Sequence, residues 1–110
     1  MTKEITPVAI ADRSEPYWKE LNKIIDPELD LGIVDLGLIY QVHIDANGHA
    51  LVYMTLTSPA CPVGPFLVQQ VQDRMLMYKG VKTAEVEIVW EPFWNHDMVD
   101  PEIRDMMFGI

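Results

Sequence analysis

The chain has one cysteine, Cys61, in the run Met54-Thr-Leu-Thr-Ser-Pro-Ala-Cys-Pro-Val-Gly-Pro-Phe66. A deprotonated thiol there would be both a nucleophile and a metal ligand. Pro59, Pro62 and Pro65 each fix φ and each lack an N–H, so the loop carrying the sulfur is stiff. The run joins an alternating strand to an amphipathic helix, and the start of that helix sets the environment of the thiol. With Cys61 as N-cap, Pro65 would fall at the fourth helical position, where it removes the first bond to the Cys61 carbonyl and crowds it. A start at Gly64 with Pro65 in the first position avoids this conflict. Either way the sulfur lies within about a turn of a positive helix end, which favours the thiolate. A lone cysteine among apolar residues can equally be a small buried hydrophobe, and residue types alone leave both open.

Other groups could serve the same site. Thr55 and Thr57 face one side of the strand that leads to Cys61, placed either to hydrogen-bond a ligand at the sulfur or to cap the loop. Asp26, Glu28, Asp30 and Asp35 form an acidic set capable of acid–base work, although an aspartate before proline is also a routine turn residue. His43, His49 and His96 are scattered and match no common metal spacing, which makes them surface residues. The glycines form neither a phosphate loop nor a dinucleotide fingerprint. No base held by a third group is apparent, so a thiol-dependent enzyme is disfavoured and the expectation is a non-enzyme.

The elements that must position these residues follow in order. Residues 1–13 read as a flexible lead and 14–110 as one domain. Ser14 is expected to cap a helix with Pro16 in its first turn, in which Trp18, Leu21 and Ile25 share a stripe up to a stop at Asp26-Pro27. Residues 28–37 read as a shaped loop with glycines at positive φ. Leu38, Tyr40, Val42 and Ile44 then alternate against Ile39, Gln41 and His43, and Asn47-Gly48 signals a hairpin into a second strand, 50–57. A helix from Gly64 to about Tyr78 carries Val63, Leu67, Val71 and Met75 on one stripe, ending at Lys79-Gly80. A third strand, 83–90, follows by crossover and so lies parallel to one hairpin strand. Glu91-Pro92-Phe93-Trp94 breaks it, its aromatic pair packing on the sheet edge or at an interface. Asp100 caps a last helix whose Ile103, Met106, Met107 and Phe108 either seal the core or join a partner. The expected fold is a two-layer α+β domain of order α-β-β-α-β-α, with helices on a small mixed three-stranded sheet.

At 110 residues and net charge −9, the chain fits one ordinary globular domain. The acidic surface repels phosphate backbones and offers no basic patch to anionic lipid, which disfavours nucleic-acid and membrane partners. No apolar run has signal-peptide or membrane-span length, and a single cysteine suits a reducing compartment, so a soluble cytoplasmic protein is expected.

The ordered runs Ile25-Asp26-Pro27-Glu28, Ile33-Val34-Asp35-Leu36-Gly37-Leu38-Ile39-Tyr40, and Met54-Thr55-Leu56-Thr57 with Cys61-Pro62 and Gly64-Pro65 closely resemble the metal-sulfur cluster biosynthesis family of SufT and PaaD-like proteins. The ending Val89-Trp90-Glu91-Pro92-Phe93-Trp94 followed by Met98 is similar too, so the likeness spans roughly residues 17–110. It implies the iron-sulfur cluster assembly domain fold and an accessory role in maturing iron-sulfur proteins, with the assembly machinery and client apoproteins as partners. Carried across by position, Cys61 is the motif cysteine and the cluster ligand, while Asp26, Glu28 and Asp35 carry the acidic signature, shaping the site or touching the client. Phenylacetate-pathway relatives extend into a cysteine-rich C-terminal segment. This chain ends at Ile110, which favours the stand-alone SufT-like branch. Clusters are normally held by several thiolates. A transient cluster would therefore need two Cys61 residues across a homodimer, or Cys61 plus a ligand from a client or glutathione. The rival reading is an acidic adaptor that recruits clients without carrying a cluster.

Overall fold

A proline opens the first helix, α1 (Pro16–Leu21). The computed structural model describes residues 5–9, 12–27, 29–57 and 64–108. Glu15, not Ser14, stands at the N-cap with an extended backbone and no side-chain cap bond. Pro16 sets this boundary: it forces extension on the residue before it and its fixed φ suits the first helical position. The helix also ends well short of Asp26-Pro27. Asn22 closes it, its side-chain oxygen committed to the distant amides of Val34 at 3.0 Å and Asp35 at 2.9 Å. After this exit Ile24 is buried, Ile25 is 44% exposed, and the chain is already extended.

The extended piece, β1 (Ile25–Asp26), pairs antiparallel with β2 (Leu31–Gly32), a small ladder that the residue pattern did not suggest. Gly32 lies hard against Asn22, where a Cβ would overlap the asparagine side chain and carbonyl. The main sheet consists of β3 (Ile39–Ile44), β4 (His49–Met54) and β5 (Thr83–Ile88), in that spatial order. β3 and β4 form the expected hairpin. Its turn has Gly48 at φ +83° and Asp45 accepting the amides of Asn47 and His49 at 2.8 and 3.0 Å. These amides hold the Asp45 carboxyl below its ordinary range. β5 runs parallel to β4 after the crossover through α2 (Gly64–Leu76), which makes the sheet mixed.

β4 buries Ala50, Val52 and Met54, and α2 buries Leu67, Val71 and Met75 at helical spacing. Together with Trp18 and Leu21 of α1 these side chains form one core. Each fully buried one contributes about 1.5–3 kcal/mol relative to exposure. Ile39, which strict alternation sets on the face opposite Tyr40, belongs to that core. A bulge between Ile39 and Gln41 shifts the register, so that Ile39 faces Met54 and Gln41 faces Tyr53, and both Ile39 and Tyr40 are buried.

The segment after β5 returns over the turn that precedes β3. Tyr40 Oη donates to the Pro92 carbonyl at 2.6 Å, and Trp94 Nε1 donates to the Leu36 carbonyl at 2.6 Å. Gly37, at φ +79°, lies so close to the Met98 carbonyl that a Cβ would overlap it. Asp100 N donates to the Asp35 carbonyl at 2.8 Å. Asp100 then caps the last helix, α3 (Pro101–Phe108), accepting the Glu102 amide at 3.0 Å as expected. Ile103 packs on the core.

Candidate functional site

The continuation of β4 and the first described turn of α2 meet on either side of residues 58–63. Thr55 continues β4, its amide donating to the Leu38 carbonyl at 2.8 Å, and Leu56 turns into the core. Gly64, the first residue of α2, is buried, and a Cβ there would press on the Leu56 side chain. The strand exit and the first described turn of α2, which holds Pro65, are thus in contact. Cys61 itself, and Glu28, lie outside the described residues.

Thr55 is fully buried, and its hydroxyl has no hydrogen-bond partner among the described residues. It lies near enough to Tyr40 to oppose the rise that burial causes in the phenol's pKa, without the geometry of a hydrogen bond. Buried hydroxyls are rarely left so, and each instance asks for a reason. Thr57 is half-buried at the loop's start.

The carboxylates occupy separate places. Asp26 is 2% exposed on β1, where its carboxylate accepts the Leu29 amide at 3.3 Å and its carbonyl accepts the Asp30 amide at 2.7 Å. It therefore orders the β1–β2 turn. Asp35 is half-buried, its backbone held by Asn22 on one side and Asp100 on the other. Its side chain borders a shallow cleft of about 190 Å³ with Asp100, Asn22, Trp18 and Arg13. Arg13 is the group that reading by residue type missed. Its guanidinium lies 5.3 Å over the Trp18 ring and donates to the carbonyls of Val34 and Val8 at 3.1 and 3.2 Å. Burial pushes its pKa down, and the charges of Asp100 and Asp35 push back. Asn22, Tyr40 and Trp94 were missed as well, since their bonding partners lie 12 to 58 positions away and leave no local signal.

His43 and His49 make their contacts elsewhere. His43 is exposed and meets Gln41 at 2.8 Å, and His49 Nδ1 meets Thr83 Oγ1 at 2.6 Å. Among the described residues, no three His, Cys, Asp or Glu side chains converge on one metal position. No helix of the described residues is long and apolar enough to cross a membrane.

Comparison with known proteins gives a consistent result. The profile of a family described as iron-sulfur cluster assembly protein matches residues 18–88. The Fe-S protein maturation auxiliary factor SufT of Staphylococcus aureus is 46% identical over 76 residues, 69% of this chain and 86% of that protein. An Fe-S protein maturation auxiliary factor of Porphyromonas gingivalis is 42% identical over 88 residues, covering 80% and 84%. An iron-sulfur cluster carrier protein of Synechocystis is 35% identical over 71 residues, but this chain spans only 20% of its length. Among solved structures, a domain of unknown function from Bacillus anthracis superposes with a TM-score of 0.78 at 35% identity, over 84% of this chain and 88% of that one.

Proposed function

Because this chain belongs to the iron-sulfur cluster assembly protein family, we propose that it is an accessory factor in the maturation of iron-sulfur proteins. The cluster is its cargo and Cys61 a labile ligand. The observation that carries this reading is the 46% identity to a maturation auxiliary factor across a stretch that includes both sides of the cysteine loop. Two physical features support it. Leu56 and Gly64 pack together, so the chain enters and leaves residues 58–63 at neighbouring points, beside the first described turn of α2 and its positive dipole. With one cysteine in the chain, any cluster would be completed by ligands from a second copy, a client apoprotein or glutathione, and incomplete ligation favours release. The partners are then the assembly machinery and its clients in the cytoplasm, and the role is transfer and not turnover. Asp26, Asp35, Thr55 and Thr57 serve by shaping the loop's surroundings or meeting the client.

The test is anaerobic reconstitution with iron and sulfide, following visible absorption and oligomeric mass together, for wild type and Cys61→Ala. A chromophore that appears with a dimer and vanishes in the variant is the expected result. A folded protein that takes up no cluster, while still restoring client activity in cells as Cys61→Ala, would move the role to recruitment without carriage.

A further inference from the structure

The chain has eight lysines and arginines against seventeen acidic residues. Four of the eight, Lys19, Lys23, Arg74 and Lys79, line one cleft of about 550 Å³ between α1 and the C-terminal end of α2. A single acid shares it, Glu20, paired with Lys23 at 2.6 Å. Four charges less one leave the cleft at +3 on a protein of net −9.

Basic residues in a last helical turn are common, because the carbonyl end of the dipole attracts them, and Lys19 and Arg74 fit that account. It does not extend to Met77, which is 77% exposed in the same cleft and follows Leu76 at 43%. An exposed apolar side chain inside a cationic rim is the composition of a recognition surface. The cleft walls are also fixed in advance, since Tyr17 of α1 meets Tyr78 edge-on with ring centroids 5.9 Å apart.

The four cations line the cleft from separate places, Lys19 in α1, Arg74 in α2, and Lys23 and Lys79 just past the C-terminal end of each helix. A compact anion would want convergent donors, whereas a chain of carboxylates with apolar side chains between them matches the spread. The acidic remainder of the surface repels a phosphodiester chain or an anionic bilayer, which present charge over a wider area. We propose that this cleft docks an acidic segment of a partner protein, with its carboxylates on Lys19, Lys23, Arg74 and Lys79 and an apolar residue on Met77. The thirteen residues of α2 place it about 20 Å from the cysteine loop. A partner held here leaves that loop free, and the docking does not depend on Cys61 or on cluster cargo.

The test is a titration of isotope-labelled full-length chain with two synthetic amphipathic helical peptides, one built of Glu, Leu and Ala and the other with Lys in place of Glu. The Glu peptide is expected to shift the amides of residues 17–23 and 74–80, and to weaken by roughly tenfold as salt rises from about 0.05 to about 0.5 M. Lys19→Glu with Lys79→Glu, both exposed positions, should weaken it by roughly tenfold or more, and the Lys peptide should leave those amides unmoved. Met77→Ser should weaken binding while keeping its salt dependence. A Glu peptide that shifts nothing in the cleft, or binds the double variant equally well, overturns the proposal. So does adsorption to phosphatidylglycerol vesicles that the same double variant abolishes while peptide binding is untouched.

Discussion

Asn22 Oδ1 accepts the backbone amide of Asp35 at 2.9 Å across thirteen positions of sequence, and that of Val34 at 3.0 Å. One side chain thereby ends α1 and fixes the turn carrying Asp35. Asn22→Ala leaves two partly buried amides without an acceptor and should cost about 2 kcal/mol. Asn22→Asp, which keeps the oxygen, should recover most of that. Urea unfolding reads both, and an Asn22→Ala midpoint equal to wild type would mean that water replaces the lost acceptor.

Two glycines at positive φ make a controlled pair. Gly37 (φ +79°) has the Met98 carbonyl where its Cβ would go, whereas Gly80 (φ +92°) has nothing within 4 Å. Gly80→Ala should cost about 1 kcal/mol, from backbone conformation alone. Gly37→Ala adds displacement of the segment between Trp94 and Asp100 and should cost about 3 kcal/mol or more. Thermal unfolding of the two variants separates strain from collision; equal losses would show that the segment yields freely.

Tyr40 links stability to alkaline pH. Burial raises its phenol pKa, with Thr55 opposing. A folded-state value above the unfolded one favours the neutral phenol in the fold. That stability is complete below the ordinary tyrosine value of about 10 and is lost as pH rises through it toward the folded value. Tyr17 shifts in the same direction, chiefly from burial and then from Glu15 and Tyr78. Tyr40→Phe should cost about 1 kcal/mol at neutral pH, through the lost 2.6 Å bond to Pro92. It should also flatten part of the alkaline decline. Unfolding free energy measured between about pH 8 and about pH 11 reads both effects, and an unchanged slope would assign the decline to Tyr17.

Reading by residue type reached those parts of the fold whose causes are local. Asn47-Gly48 marks its hairpin because the turn needs a positive φ, and Leu67, Val71 and Met75 mark the buried face of α2 by their helical spacing. Parallel β5 follows from the handedness of crossovers. Tertiary bonds decided what was misplaced. Asn22 cut α1 short to serve a distant turn, and the bulge at Tyr40 carried Ile39 into the core while aiming the phenol at Pro92. The acidic signature was legible by family resemblance. Its physical settings were not, because Asp26 orders a turn and Asp35 faces Arg13, a residue whose role depends on Trp18, Val34 and Val8 coming together.

Thr55 offers the sharpest separation of folding from function. Valine has nearly its shape, and the threonine hydroxyl is buried without a partner among the described residues. A desolvated, unbonded hydroxyl costs stability, so Thr55→Val should raise unfolding free energy by about 1 kcal/mol. Sequences keep such a cost where the group is used, and Thr55 sits on the strand that leads directly into the cysteine loop. Under the carrier role proposed above, the same variant should deliver clusters to an apo client several-fold more slowly, the reverse of what a merely packed residue would do. Denaturation and single-turnover client activation on one preparation read the two effects side by side. A Thr55→Val protein both more stable and fully active would remove the hydroxyl from the site and leave the loop's own residues to hold the cargo.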